Sequence, residues 1–169
     1  MPPVCIIYKG GVIRPCTEED VDERYVSGLN DPEVNKYLEV RHEKQDQQSV
    51  SEFVTENRQS SDSILFGIFP DAICGLIGTV RLHEVSIRSR SCHIGLCIFE
   101  KSYWGKGIGS QSIALVTHWA FNSLRLRRVI AGIKNDNIAS QRAFVKSGYN
   151  RIETDIKKPI SYQQFVAEY

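Results

Sequence analysis

The chain has 169 residues and a mass of 19.2 kDa, enough for one domain of ordinary size and too little for two. Hydrophobic residues make up 41% and charged residues 24%, which excludes global disorder, while 21 basic against 20 acidic side chains give no net field toward nucleic acid or anionic membrane. No apolar run approaches the roughly 18 residues of a membrane span, and MPPVCIIYKGG at the start has neither a basic leader nor a cleavage-like site, so a single cytoplasmic domain over residues 1–169 is expected.

The first segment, VCIIYKGGVIRP, reads as β structure with a Lys-Gly-Gly turn and a stop at Pro15. Thr17 followed by Glu18, Glu19 and Asp20 is a hydroxyl cap with acids in the first turn, which predicts a helix over residues 17–28. Asp31 and Pro32 cap and open a second helix, and Val50, Phe53 and Val54 set the inner face of a third over residues 47–58. Residues 60–63 are serine-rich loop. Three β-rich runs then follow at residues 64–69, 73–82 and 92–99, separated by turn material at Pro70-Asp71 and residues 86–91, which predicts an antiparallel meander. After a glycine-rich turn, Leu115, Val116, Trp119 and Ala120 supply the apolar stripe of a helix that ends near Leu124. A strand over 128–133, a helix over 138–147 closed by Gly148, and strands over 149–156 and 162–167 complete the chain. The order is that of an α+β or mixed α/β fold.

Cys5, Cys16, Cys74, Cys92 and Cys97 are odd in number and form no C-x-x-C pair, so reduced thiols are expected, with neither metal nor disulfide.

The turn Tyr103-Trp-Gly-Lys-Gly-Ile-Gly-Ser110 lies between a strand and a helix. Three alternating glycines leave the backbone uncrowded, so successive N–H groups can converge on one point, and the helix that follows adds unpaired donors and its positive end. Such a turn suits a phosphate or pyrophosphate, and Lys106 adds a mobile charge. A P-loop needs its lysine after the second glycine, and a dinucleotide fingerprint needs G-x-G-x-x-G after the first strand of a βαβ unit; both patterns fail here. Two readings stay open at this point: the pyrophosphate loop of acyl-CoA-dependent N-acetyltransferases, and a tight turn with no ligand.

Downstream, Asn137-Ile-Ala-Ser140-Gln-Arg-Ala-Phe144-Val-Lys-Ser-Gly148-Tyr149 resembles the N-x-x-[AS]-x-x-x-[YF]-x-x-x-G-[FY] signature of the GNAT superfamily of N-acetyltransferases. Ile13-Arg14-Pro15 with its Thr-Glu-Glu-Asp helix start, then Asn30-Asp31-Pro32-Glu33-Val34, resembles that superfamily's ribosomal-protein and small-molecule branch. Cys92-His93-Ile94-Gly95-Leu96 is similar to that branch's A-E-I-G-Y strand, departing at the first, second and fifth residues. The resemblance covers roughly residues 12–155.

The resemblance implies a central, mostly antiparallel twisted sheet with helices on both faces and a splayed strand pair that holds acyl-CoA. It assigns backbone groups of Cys97, Ile98 and Phe99 to the pantetheine arm. It assigns the pyrophosphate to Trp104, Gly105, Lys106, Gly107, Ile108, Gly109 and Ser110. Trp104 stands where many members carry Arg or Gln, which removes that side-chain donor. Asn137 would bond the pantetheine, with Ser140 and Phe144 along the thioester end. The chemistry implied is direct attack of a neutral amine on the thioester, which requires a base. Where the family often has a glutamate this chain has His93, whose side-chain type titrates near neutrality; Glu84 and Glu100 stand in reserve. Phe144 replaces a common tyrosine and cannot protonate the leaving thiolate, so the resemblance passes that role to Ser140, with Tyr149 or water as fallback. Glu39, Arg41 and His42 in the polar segment 37–44 are the expected acceptor-binding side chains. Arg125, Arg127 and Arg128 are candidates for the adenosine 3′-phosphate.

The expected function is therefore transfer of an acetyl group from acetyl-CoA to a primary amine of a small polar molecule, amino sugars among them. The alternatives are an acetyltransferase for protein N-termini and a binding module that holds acyl-CoA without catalysis. No metal, nucleic acid or membrane is expected to take part, and a homodimer stays open.

Overall fold

The computed structural model describes residues 4–70, 75–152 and 162–169. Gly10 and Gly11, at φ +141° and +145°, turn the chain between β1 (Ile6–Tyr8) and β2 (Gly11–Pro15). The helix expected over residues 17–28 is divided in two. A single 3₁₀ turn spans Glu18–Asp20, Val21 drops into the core in extended conformation, and α1 (Glu23–Asn30) starts on its own cap, Asp22, which accepts from the Tyr25 amide at 2.9 Å. The division has a polar cause. Asp20 turns back to accept from the Thr17 amide at 2.8 Å and is clamped by both terminal nitrogens of Arg14, at 2.8 and 2.6 Å. Burial pushes the Asp20 carboxyl up, but the Arg14 and Thr17 hydrogen bonds outweigh it and hold the group below the ordinary carboxylate range.

The other helices follow their sequence signals. Asp31 caps α2 (Pro32–Asn35) and Asp46 caps α3 (Gln47–Gln59), each accepting from a backbone amide of the first turn. Beyond the meander lie α4 (Ile108–Ser123) and α5 (Ile138–Lys146).

The meander strands are β3 (Ile64–Phe69), β4 (Gly78–Ser86) and β5 (Ser91–Ile98), followed by β6 (Arg128–Lys134), β7 (Asn150–Ile152) and β8 (Tyr162–Glu168). The strand expected over 73–82 begins only at Gly78 and runs on to Ser86; Leu76 and Ile77 are buried ahead of it. Residues 73–74, Asp71, Cys74 and the later part of the strand expected over 149–156 lie outside the described residues. The eight strands among the described residues form one mixed sheet in the order β1-β2-β3-β4-β5-β6-β8-β7, antiparallel except for β5 and β6.

Period-two alternation along the strands divides the apolar side chains between two cores. Ile64, Phe66, Val80, Leu82, Cys92, Ile94 and Val129 meet Ile113, Val116 and Ala120 of α4 and Phe144 of α5 on one face. Leu65, Phe99 and Cys16 meet Tyr25, Val50 and Val54 on the other, under α1 and α3. Helices thus cover both faces, as expected, and among the described residues no helix is long and apolar enough to cross a membrane. Burial pushes the thiols of Cys16, Cys92 and Cys97 up to about 12, so all three are protonated and unreactive at neutral pH.

Helix α1 approaches the sheet closely because Gly28 has no side chain. A Cβ there would lie 2.7 Å from Phe99 Cβ, and the same Phe99 ring stacks on Tyr25 at 4.6 Å. Gly28→Val is expected to destabilise the fold by about 1–3 kcal/mol through overpacking, read as a lower urea midpoint at unchanged m-value. Because the Asp20 carboxyl is depressed in the folded state, its stabilisation is complete above the ordinary carboxylate range and lost as pH falls through it. Asp20→Asn should therefore lower stability at pH 7 and flatten the acid limb of a stability-versus-pH curve.

Candidate active site

Strands β5 and β6 pair over only three residues, Ser91–His93 with Arg128–Ile130, and then part although both continue. The hydrogen-bond parity of β5 decides which backbone groups face the gap. The Phe99 amide donates to Ile77 O at 3.1 Å, so in the antiparallel alternation Cys97 and Phe99 turn their backbone groups toward β4. Those of Leu96 and Ile98 face the gap, which puts the exposed edge one residue out of phase with the expected Cys97 and Phe99. Ile98 O is taken by the Trp104 indole, whose Nε1 donates to it at 2.8 Å. Trp104 thus supplies a side-chain donor after all, and spends it on the chain's own backbone.

The glycine turn closes one end of the gap, and its glycines serve different needs. Gly105 and Gly107 have φ of +71° and +81°, left-handed values that side chains rarely adopt. Gly109 is set by contact, since a Cβ there would lie 3.0 Å from Leu96 Cδ2 and push α4 off β5. The first backbone bond of α4 runs from the Gln111 amide to Gly107 O. The amides of Ile108, Gly109 and Ser110 therefore precede the helical ladder and point outward from its positive end. Ser110 Oγ bonds Gly107 O at 2.9 Å, and Ser147 Oγ ties the end of α5 to Ser110 O at 2.8 Å. That tie brings in a charge not foreseen from the sequence: Lys146 Nζ would lie 3.8 Å from a Cβ on Gly107. Its spacing from the Gly148 cap was the only available signal. Lys106 lies with its ammonium 5.2 Å from the Tyr103 ring centre. A phosphate thus meets outward amides, space above Gly105 that is open among the described residues, and the Lys146 ammonium over Gly107, so the turn fits such a group.

At the other end, His83 on β4 and His93 on β5 stand opposite each other with ring centres 5.5 Å apart. A register shift just beyond them sets Glu84 in left-handed conformation, φ +52°. This aims its carboxylate at both rings, 3.6 Å from His83 Nδ1 and 3.8 Å from His93 Nε2. The two residues expected to act as bases, His93 and Glu84, are adjacent, and His83 joins them. Burial, with Arg81 and His93 nearby, lowers the His83 pKa against the opposing pull of Glu84 and Glu39, which leaves His83 neutral at pH 7. Glu100 is occupied otherwise: it caps the turn after β5, accepting from Ser102 Oγ at 2.9 Å.

Helix α5 runs along the gap from the end of β6 to the glycine turn. Asn137 caps it, accepting from the Ser140 amide at 3.1 Å, and the Ser140 hydroxyl has no partner among the described residues. Phe144 is not at the gap. It is buried in the core edge-to-face against Tyr149, because position 144 falls on the inner side of α5. Tyr149 is equally buried and shares a 2.6 Å hydrogen bond with Thr117, and burial pushes its hydroxyl far up, so it is no proton donor for the gap. Tyr37 hydroxyl donates to Asp136 O at 3.2 Å and joins the segment after α2 to the β6–α5 loop.

The three expected acceptor residues are divided. Glu39 lies close enough to His83 to act on its charge, whereas Arg41 and His42 line a separate groove with α1 and the start of α3. Arg125, Arg127 and Arg128 sit at the far end of α4, a helix of 16 residues and so about 24 Å from the glycine turn. Arg128 pairs there with Glu168 at 2.7 Å. That distance removes them from any phosphate held by the turn.

An anion cradle at one end of a gap and proton-accepting groups at the other suit a transferase that holds a phosphate-bearing donor and turns its far end toward an acceptor. The model of the acetyltransferase (GNAT) domain matches residues 12–150, and the chain belongs to that family of acetyltransferases. It is 29% identical over 142 residues to the uncharacterised N-acetyltransferase YoaA of Bacillus subtilis (strain 168), covering 83% of this chain and 79% of that one. The fold is similar to that of spermidine N-acetyltransferase from Vibrio cholerae, solved with CoA and spermine (TM-score 0.78, 16% identity, 92% and 94% of the two chains). It is equally similar to that of ribosomal-protein-S5-alanine acetyltransferase from Vibrio fischeri (TM-score 0.79, 15% identity, 98% and 96%).

Gly107→Val forces a β-branched residue into left-handed backbone and points it at the cradle, so CoA binding measured by calorimetry should fall at least about 100-fold. Affinity that survives the change would place the phosphates elsewhere. Lys146→Ala should weaken CoA about 3- to 10-fold and flatten the dependence of affinity on salt.

Proposed function

We propose that this acetyltransferase uses acetyl-CoA as donor and a primary amine of a small polar molecule as acceptor. The observation that carries the reading is the placing of the outward amides of residues 108–110 with Lys146 at one end of the β5–β6 gap, and of His93 with Glu84 at the other. Support for a small acceptor comes from the likeness to an acetyltransferase solved with CoA and spermine.

The residues divide the work along the gap. Backbone amides of the glycine turn and the Lys146 ammonium hold the phosphates. The gap-facing backbone of Leu96 and Ile98 hydrogen-bonds the arm of the donor, and Asn137 and Ser140 line its far end. When bound, acetyl-CoA supplies the thioester carbonyl that the amine attacks. An aliphatic amine is mostly protonated at neutral pH, so it must first lose a proton. His93 accepts it at an imidazole nitrogen, and Glu84, 3.8 Å from Nε2, stabilises the imidazolium that results. Ser140 Oγ, without a partner among the described residues, donates a hydrogen bond to the departing sulfur.

A screen of small amines and N-terminal peptides for acetyl-CoA-dependent thiol release tests the reading. Turnover confined to peptides overturns it. His93→Ala should lower kcat/KM by about 10²- to 10⁴-fold and remove the limb of the pH–rate profile that an imidazole base produces. A profile unchanged in shape would assign the base elsewhere.

A further inference from the structure

The arginines that form ion pairs here do so with carboxylates: Arg14 with Asp20, Arg24 with Asp22, Arg58 with Glu18 and Arg128 with Glu168. Arg81 is held differently. It lies half-buried on β4, two residues before His83 and on the same face, directly across from Gly95 on β5. Its Nε donates to Asn57 Oδ1 at 2.8 Å and Ser63 Oγ at 3.1 Å, and its guanidinium carbon is 5.2 Å from the Phe53 ring centre. All three partners are neutral. Asn57 and Ser63 are each only 4% exposed, and Asn57 is fixed in turn by its own Nδ2 bond to Phe53 O.

This grip fixes the Arg81 side chain through neutral partners and leaves its charge unmatched among the described residues. No carboxylate among the described residues forms an ion pair with Arg81, and its two terminal nitrogens have no partner there. A half-buried cation without a counter-ion costs free energy, and a rigid fork of unused N–H donors is the geometry that takes a carboxylate or phosphate through two parallel hydrogen bonds. Among the described residues the floor beside it is open: none of their atoms lies within 4 Å of a Cβ built on Gly95, or on Gly132 of β6, which succeeds the last paired residue of β6 by two. Arg81 and His93 are diagonal neighbours on this floor, with Cα atoms about 7–8 Å apart and side chains rising on the same side.

From this arrangement we infer that the acceptor amine carries an acidic group, carboxylate or phosphate, a few bonds from its nitrogen, and that Arg81 binds that group while His93 takes the proton. The inference rests on the acetyl-transfer reading and narrows its acceptor to acid-bearing amines such as amino acids or phosphorylated amino sugars.

The test is steady-state kinetics with acetyl-CoA on matched acceptors: an amino acid against the amine left by removing its carboxyl group, and a phosphorylated amino sugar against its unphosphorylated parent. The acid-bearing member of one pair should be favoured about 10- to 100-fold in kcat/KM, mainly through KM, and the favoured pair tells carboxylate from phosphate. Arg81→Gln should bring the ratio close to one, and Arg81→Lys should restore part of it, a pattern that a merely structural arginine would not produce. Equal or better turnover of the acid-free members, or an advantage that survives Arg81→Gln, overturns the inference and leaves acetyl transfer standing. Should Arg81→Gln fail to fold, the wild-type ratios decide alone. If no amine is turned over while acid-bearing amines still raise Tm of the wild type and not of Arg81→Gln, the transfer reading falls and the binding role stands. Neither turnover nor binding overturns both.

Discussion

The candidate site lies where β5 and β6 part. They pair in parallel over three residues and then diverge, while each remains fixed on its other side, β5 by β4 and β6 by β8. A sheet interior normally leaves no backbone donor or acceptor unpaired, since an unmet polar group in an apolar setting costs more than a hydrogen bond returns. Here the sheet interrupts itself, and the Leu96 and Ile98 backbone faces a gap instead of a neighbouring strand. One carbonyl on that edge, Ile98 O, is met by the Trp104 indole.

What holds the gap open is packing on both sides of it. Helix α4 must press against β5 closely enough for Gly109 to lack a Cβ, and the Ser147–Ser110 tie sets the end of α5 against its first turn. On the opposite face α1 closes on Phe99 through Gly28, and the segment after α2 reaches across to the β6–α5 loop through Tyr37. The near-zero net charge of the chain is no obstacle to holding an anion. The proposed cradle relies on oriented backbone dipoles and one local ammonium, not on an excess of basic residues.

Much of the candidate site was legible in the sequence because its parts are local. The G-x-G-x-G turn, the Asn137 cap and the His93 strand each lie within a few consecutive residues, where conformational preference and side-chain chemistry speak directly. What the sequence does not carry is phase and distance. Cys97 and Phe99 were expected at the gap, but hydrogen-bond parity, fixed by pairing with β4, turned that role to their neighbours. Phe144 looked like a site residue from its place in a motif, yet helical phase buries it with Tyr149. The basic stretch at 125–128 is close in sequence to the glycine turn and far from it in space, because the whole of α4 intervenes. The break at Val21 was missed because it follows from an Arg14–Asp20 clamp between two elements, which a reading of helix caps alone does not contain.

Local patterning by itself determined the mixed α/β class, the glycine turn, and most helix and strand positions. Each of these follows from backbone preference and hydrophobic period, which act over a few residues. The tertiary structure alone decided that β5 and β6 part, that Glu84 lies between two histidines, that Lys146 reaches the turn, and that Arg81 has no counter-ion among the described residues. Those are pairings between residues far apart along the chain, set by strand register and by which side chains share one face of a sheet. No local spacing encodes them.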